Sequence, residues 1–211
     1  MSSQLIMILK ESISVVPTGK YIFQHKGYPL SVEEQAKDLA EVVAQYQKRK
    51  VSDKLQKTCD ENFNKLFQVF LESKGRTYNV DYYDMVIVGL KPIIIKLKKY
   101  YDRPRPAALA KSMGIDFLGD ELDSAQSPSY PSGHTIQSYV MAKMLSDQFP
   151  EHEENLLKIA EIISQSRIDR GVHFPTDIEY GKEVAESLFL QIKEGLGGET
   201  PQDRQVYDQM D

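Results

Sequence analysis

Apolar residues recur along most of the chain at intervals of three and four positions, the spacing that places them on one face of an α-helix. The first run follows a capping-box pair, Ser31 and Glu34, and predicts a helix over about residues 31–46. A second helix is predicted over about 52–74, where Gly75 ends it. The apolar positions of these two helices are Val32, Ala36, Leu39, Ala40, Val43 and Tyr46, and Leu55, Cys59, Phe63, Leu66, Phe67 and Phe70.

Four further helices are predicted downstream. A third covers about 81–100, with a kink at Pro92, and ends before the segment RPRP because proline cannot continue a helix. The fourth and fifth cover about 132–148 and 151–167, and the sixth begins near Pro175, a favourable first helical residue.

The remaining segments carry weaker patterns. Residues 107–130 are predicted to form a long loop with at most one short helix, and ISVVPTGKYIFQ near the start is compatible with extended chain. The tail over 195–211 is polar. Because no alternating strand pattern competes, the predicted fold is all-α, a single-domain bundle of about six or more helices over 1–211.

Composition narrows the class of protein. A length of 211 residues suggests one domain, and 41% hydrophobic with 27% charged residues is ordinary for a globular protein. A net charge of −5 argues against a nucleic-acid polymer as partner, since domains that bind one are usually basic. The one cysteine, Cys59, excludes an intrachain disulfide and is expected to be a buried, inert thiol.

Neither a membrane span nor a signal peptide is predicted. The longest apolar stretch, MVIVGLKPIIIKL, is interrupted by Lys91 and Pro92, whereas a span needs about 20 apolar residues. The apolar run Leu5–Leu9 is too short for a signal peptide and lacks a basic region before it. A cytoplasmic location is therefore expected.

Candidate chemistry begins in the segment KLKKYYDRPRP. Its five cations are either the solvated end of a helix, where lysines meet the helix dipole favourably, or an anion site on an otherwise acidic protein. The prolines restrict the backbone around the two arginines, which favours a defined site. The five cations are Lys96, Lys98, Lys99, Arg103 and Arg105.

The second candidate is Pro-Ser-Gly-His at 131–134, where a loop turns into a helix. A helix N-terminus offers free N–H groups to a phosphate, and Gly133 lets the backbone approach such a ligand. Ser132 is either a plain N-cap or a hydroxyl donor as well. Histidine is not a preferred residue in the first turn of a helix, because a helix N-terminus disfavours its cationic form. His134 is therefore either a buried, hydrogen-bonded histidine or a functional one.

The third candidate is SQSRIDRGVHFPTDIEYG. Arg167 makes a metal site unattractive, since a guanidinium has no lone pair to donate. Asp177 is either a residue that stabilises the helix dipole or the acceptor of the Nδ1–H of His173, which would leave Nε2 as a nucleophile. Arg170, which lies between Arg167 and His173, receives no role and is interpreted as a surface charge.

Taken together, the three segments resemble the signature of the type 2 phosphatidic acid phosphatase superfamily, which includes class A non-specific acid phosphatases, membrane lipid phosphatases and vanadium haloperoxidases. The resemblance covers about 98–181, and Gly181 is similar to the family's usual continuation. The matching positions are Lys98, six residues, Arg105-Pro106; Pro131-Ser132-Gly133-His134; and Ser166-Arg167, five residues, His173, three residues, Asp177.

The resemblance implies a metal-independent hydrolase of phosphate monoesters that works through a phosphohistidine, with pyrophosphates or nucleotides as further substrates. His173 would attack phosphorus, His134 would protonate the leaving oxygen, and Asp177 would orient His173. The phosphoryl oxygens would be held by Lys98, Arg105, Ser132, Gly133 and Arg167. No cofactor is implied, vanadate is expected to inhibit, and family members often form homo-oligomers.

Several alternatives stay open from the sequence. Lys96 with Arg103-Pro104 fits the first motif spacing as well, although Lys98 with Arg105 better resembles the acid phosphatases. The same residues could hold vanadate as a cofactor in a haloperoxidase, or could bind phosphate in a helical module without turnover. Class A acid phosphatases are usually exported, which puts their role in doubt for a chain with no visible signal.

Overall fold

The structure, a computed structural model, describes residues 30–49 and 52–195. The prediction of an all-α fold is confirmed, since these residues contain helices and loops but no strand. The predicted extended stretch near the start and the polar tail lie outside the described residues. The helices are α1 Val32–Lys48, α2 Asp53–Glu61, α3 Asn64–Ser73, α4 Val80–Gly89, α5 Lys91–Tyr101, α6 Pro106–Ser112, α7 Gly133–Gln148, α8 Glu153–Asp169 and α9 Pro175–Gly195.

Two of the predicted helices are each divided in two. The helix predicted over 52–74 breaks at Asn62, a weak helix former with φ −154°, and separates into α2 and α3. The predicted kink at Pro92 is a break at Leu90, because proline supplies no N–H to the carbonyl four residues earlier. Pro106 begins a new helix, α6, rather than a loop, and a short 3₁₀ turn covers Asp123–Ala125.

Helix α7 forms the centre of the bundle. Its buried residues occur all around its axis, the distribution expected of a helix enclosed by others. Helices α8 and α9 make its most extensive contacts. The main core around it draws on α3, α4 and α5 too, with Phe67, Leu97, Val140, Leu156 and Leu188 among its members.

Helix α1 covers a second, smaller core. The capping box between Ser31 and Glu34 is formed as predicted. The predicted apolar face is partly wrong, however: Val32, Ala36 and Ala40 are exposed, and the buried positions are Asp38, Leu39 and Val42. These pack over a cluster that includes Leu109, Phe117, Ile168, Phe174 and Ile178. Burying an aspartate here needs a partner, which the functional site supplies.

Cys59 is buried, as predicted. Within residues 30–49 and 52–195, no helix combines the length and the apolar character that crossing a bilayer requires.

Candidate active site

Five helix ends meet at one place and carry the predicted residues. Lys98 lies in the last turn of α5 and Arg167 in the last turn of α8. Arg105 is the N-cap of α6, Ser132 is the N-cap of α7, and Asp177 lies in the first turn of α9. Helix ends expose backbone groups that interior turns do not, so this arrangement favours binding of a polar ligand.

His173 lies in the link between α8 and α9, and only 2% of its surface is exposed. Its Nδ1 is 2.9 Å from Oδ2 of Asp177, which also accepts from the N–H of Phe174 at 3.0 Å. Because an ionised carboxylate only accepts hydrogen bonds, Nδ1 carries the proton and Nε2 carries a lone pair. Nε2 lies 3.0 Å from Nη1 of Arg105.

Arg103 holds the other oxygen of Asp177. Its Nη1 donates to Oδ1 of Asp177 at 2.7 Å, and its Nη2 donates to Oδ2 of Asp38 at the same distance. The guanidinium is 3.9 Å from the ring centre of Phe174, and Thr176 completes its hydrogen bonds. Arg103 therefore orients the carboxylate that orients His173. Neither this role of Arg103 nor the contact of Asp38 with the same guanidinium was predicted from the sequence.

Burial raises the pKa of Asp177 above that of an ordinary aspartate, while Arg103 and the N–H of Phe174 act in the opposite direction. Burial also holds the pKa of His173 well below its usual value, and the cations Arg105 and Lys98 add to the effect. His173 is therefore neutral at physiological pH, which keeps its Nε2 lone pair available.

The structure separates the two candidate lysines of the first motif. Lys96 is exposed, whereas Lys98 is buried and its Nζ donates to the carbonyls of Pro128 and Ser129 at 2.7 and 3.2 Å. Burial, followed by the nearby Arg105, lowers the pKa of Lys98 to about 7. Lys98 rather than Lys96 therefore faces the other predicted site residues.

Arg105 is fixed by backbone carbonyls on two sides. Its Nε donates to Ser127 at 2.8 Å and its Nη1 donates to Val172 at 2.7 Å. Burial is the main cause that lowers its pKa to about 10, so the guanidinium stays charged at neutral pH. The segment after α6, interpreted as a loop from the sequence, thus supplies carbonyls that position both cations.

The N-terminus of α7 is packed tightly against its neighbours. The Oγ of Ser132 caps the helix by accepting from the N–H of Thr135 at 3.4 Å. A Cβ at Gly133 would lie 3.3 Å from Ile94, and one at Gly181 would lie 3.1 Å from Thr135. Both glycines therefore allow close helix packing, a role that the sequence analysis had not assigned to Gly133.

His134 lies in the first turn of α7, with its Nε2 3.0 Å from the main-chain carbonyl of Asp60. Burial and the positive charge of Arg167 lower its pKa to about 3. The ring packs edge-on against Phe63, with centroids 6.0 Å apart. His134 is thus neutral at physiological pH.

Arg167 is fully buried, and two of its nitrogens are engaged by residues that the sequence analysis missed. Nη1 donates to Asp60 at 2.5 Å and Nη2 donates to Ser124 at 2.9 Å. Its Nε is buried and has no hydrogen-bond partner among the described residues. A buried N–H without an acceptor is unfavourable, which marks this atom as a donor suited to an incoming anion.

Arg170 is not the surface charge it was interpreted to be. Its Nε pairs with Asp120 at 3.0 Å and its Nη1 lies 3.7 Å from Asp60. The segment before α7 that contains Asp120 lies against the link after α8. The pair between Arg170 and Asp120 holds it there, and Gly171, whose φ is +70°, allows the close approach. A Cβ at Gly171 would lie only 2.7 Å from Phe117, so only glycine fits there.

These site residues lie within a region of the chain that matches a known family. The sequence model of the PAP2 superfamily matches residues 84–190, about half of the chain, and spans every predicted site residue. The chain belongs to the PAP2 superfamily. The resemblance inferred from the three motifs is thereby confirmed, and α1 to α3 lie outside the part that the PAP2 match covers.

Two curated relatives each match less than half of the chain. A non-specific acid phosphatase of Salmonella typhi is 34% identical over 96 residues, which are 46% of this chain and 38% of that protein. A non-specific acid phosphatase of Providencia stuartii is 33% identical over 88 residues, 42% of this chain and 35% of the relative. The matched region therefore spans less than half the length of each of these relatives.

A solved structure resembles the whole described fold. The transmembrane PAP2-type phosphatidylglycerolphosphate phosphatase of Bacillus subtilis superimposes with a TM-score of 0.53. The alignment covers 94% of this chain and 96% of the other, at 20% identity. This likeness supports the PAP2-type helical fold and nothing further about substrate or location.

Proposed function

We propose that the chain is a phosphatase that hydrolyses phosphate monoesters through a phosphohistidine on His173, without a metal ion. The observation that carries this proposal is the alignment of Asp177, His173 and Arg105, in which a buried histidine has its Nε2 lone pair directed at a cation. A nucleophile next to a fixed positive charge suits attack on a phosphoryl group. The acid phosphatase names of the two curated relatives support the same reaction class.

In the first step, the Nε2 lone pair of His173 forms a bond to phosphorus while the bond from phosphorus to the leaving oxygen breaks. Asp177 keeps the proton on Nδ1 throughout, so Nε2 stays unprotonated, and its lone pair turns from Nη1 of Arg105 to phosphorus. The three fixed cations stabilise the charge on the phosphoryl oxygens, which is the main requirement of phosphoryl transfer. The oxygens would be held by Lys98, Arg105, Arg167, Ser132 and the N–H of Gly133.

His134 supplies the proton to the leaving oxygen. Burial and Arg167 hold its pKa at about 3, which is too low for this role. A bound phosphate dianion places negative charge among the same cations and raises the pKa of His134 in the complex. Afterwards His134 accepts a proton from water, whose oxygen attacks phosphorus, and the bond from phosphorus to Nε2 breaks.

Hydrolysis of 4-nitrophenyl phosphate is expected to proceed at an unchanged rate in excess chelator, because the groups proposed to bind the phosphoryl oxygens are side chains and N–H groups. Vanadate is expected to inhibit at least about 10²-fold more tightly than phosphate, as a mimic of the five-coordinate transition state. The measurement is initial rate against inhibitor concentration.

Loss of activity in chelator, with recovery on adding a divalent cation, would contradict the metal-free mechanism. Oxidation of bromide by peroxide in the presence of vanadate would instead favour the haloperoxidase alternative. Tight phosphate binding with no turnover of any ester would favour a catalytically inactive module.

Sulfate is expected to bind more weakly as the pH rises above 7. Burial and Arg105 lower the pKa of Lys98 to about 7, so Lys98 loses its proton above that pH. An oxyanion favours protonated Lys98, so its affinity falls by up to about tenfold per pH unit there. Sulfate itself does not titrate in this range, and its inhibition constant between pH 6 and 9 is the measurement.

The exposed Lys96 provides the matched control, since Lys96→Gln removes a cation from the same helix. That variant is expected to keep the pH dependence, whereas Lys98→Gln binds sulfate weakly at every pH. A sulfate affinity that stays constant from pH 6 to 9 in the unmodified protein would refute the role of Lys98.

A further inference from the structure

Asp60, the penultimate residue of α2, reaches into the site from outside the region that the PAP2 match covers. Its side chain is 10% exposed. Oδ1 accepts from Nη1 of Arg167 at 2.5 Å and from the hydroxyl of Ser124, while Oδ2 lies 3.7 Å from Nη1 of Arg170. One carboxylate thus connects two arginines and a loop serine.

The contact with Arg167 leaves one edge of that guanidinium available. Asp60 and Ser124 occupy the two terminal nitrogens of Arg167, while its Nε has no partner among the described residues. A guanidinium held at one edge cannot rotate its remaining N–H away from a ligand. The carboxylate therefore acts as an anchor that leaves an edge of Arg167 free for a phosphoryl oxygen.

Asp60 also contacts His134 in two ways. Its main-chain carbonyl lies 3.0 Å from Nε2 of His134, and because a carbonyl only accepts, Nε2 carries a proton. Its Oδ1 lies 3.6 Å from the same nitrogen. The other charged groups that act on His134 are Arg167 of α8 and Lys98 of α5, both cationic. Among these groups, the Asp60 carboxylate is the one that favours the protonated imidazole.

We propose that Asp60 is a positioning residue of this site, which holds Arg167 and stabilises the protonated form of His134 when a leaving group must be protonated. The inference rests on the proposed phosphatase function. Its consequence is a specificity for esters. The charge of Asp60 matters most for substrates with poor leaving groups, whereas the contact with Arg167, which serves every substrate, needs only an accepting oxygen at this position.

The direction of the electrostatic effects agrees with this role. Burial alone would raise the pKa of Asp60, but Arg167 and the hydrogen bond from Ser124 lower it below the usual value, so the carboxylate is ionised. The same carboxylate raises the pKa of His134 against the effects of burial and Arg167.

The test compares two esters in the Asp60→Asn variant, which keeps the shape of the side chain and removes its charge. Dinitrophenyl phosphate releases a stable phenolate as its leaving group. Glycerol phosphate releases an alkoxide, which needs a proton. We expect kcat/KM for glycerol phosphate to fall about 10²-fold and that for dinitrophenyl phosphate to fall less than about threefold. Asp60→Glu is expected to recover most of the lost glycerol phosphate activity.

Glu61→Gln is the matched control, because Glu61 is the exposed neighbour in the same helix and pairs only loosely with Lys57 at 3.8 Å. It is expected to leave both rates unchanged. Equal losses of both esters in Asp60→Asn would overturn the inference in favour of a structural role. Faster turnover with tighter sulfate binding would overturn it too, since Asp60 would then be a competitor for the phosphate position.

The two levels of failure are separable. An unmodified protein that hydrolyses neither ester would overturn the proposed function and this inference with it. An unmodified protein that hydrolyses both, beside an Asp60→Asn variant with unchanged rates, would overturn the role of Asp60 alone. Thermal unfolding of each variant distinguishes a folded, slow enzyme from an unfolded one.

Discussion

Replacing His173 with alanine is expected to lower kcat for aryl phosphates by at least about 10⁴-fold, because the variant lacks the atom that forms the bond to phosphorus. The fold should tolerate the change, since among the described residues the ring makes two side-chain hydrogen bonds, in which Nδ1 donates to Asp177 and Nε2 accepts from Arg105. The measurement combines steady-state kinetics with trapping of labelled phosphate on the enzyme under alkaline conditions, where phosphohistidine survives.

His152 provides the control, because it lies in the turn between the end of α7 and the start of α8, at the ends of these helices that carry no candidate site residue, and packs against Phe70. His152→Ala is expected to keep both turnover and the labelled intermediate. Recovery of labelled phosphate on the His173→Ala enzyme, or activity close to that of the unmodified protein, would show that another residue is the nucleophile.

The second large effect is expected for Asp177→Asn, with kcat lower by about 10³- to 10⁴-fold and a nearly unchanged fold. An asparagine can turn its amide N–H toward Nδ1 of His173, which moves the proton to Nε2 and removes the attacking lone pair. The substitution also removes the ion pair between Oδ1 of Asp177 and Nη1 of Arg103, which are 2.7 Å apart. Nitrogen NMR of His173 reports the tautomer directly, alongside kinetics.

Glu179→Gln removes a carboxylate from an exposed position of the same helix and is expected to change neither the tautomer nor the rate. The decisive outcome is the combination of the two measurements on Asp177→Asn. A folded variant with an unchanged tautomer and full activity would mean that Asp177 only stabilises the first turn of α9.

Much of the fold follows from patterns that are local in the sequence. The spacing of apolar residues predicted α7, α8 and α9 within a few residues of their observed bounds. The divisions at Asn62 and Leu90 were harder to place, because a helix break depends on a few backbone groups that hydrophobic spacing does not report. The face of α1 was misjudged for a related reason: its alanines suit either surface.

The candidate site was predictable where its residues lie in short motifs. His134, His173 and Asp177 were named from their motifs, and Lys98 with Arg105 was preferred over Lys96 with Arg103 by resemblance to the acid phosphatases. The residues that were missed act from a distance along the chain: Asp38 pairs with Arg103 across 65 positions, and Asp60 pairs with Arg167 across 107. A charge beside a buried apolar residue, as in Asp38-Leu39 and Cys59-Asp60, was the one hint in the sequence.

By itself, the sequence determined the helical class, the three motifs and the resemblance to the PAP2 superfamily, because helix periodicity and motif spacing are properties of neighbouring residues. Tertiary structure alone decided that Lys98 rather than Lys96 is buried beside the site, and that Arg103 supports Asp177. It also decided that Asp60 meets Arg167 and His134. Such pairs depend on how separate helices pack, and a buried charge is stable only where that packing brings it an opposite charge or hydrogen-bond donors.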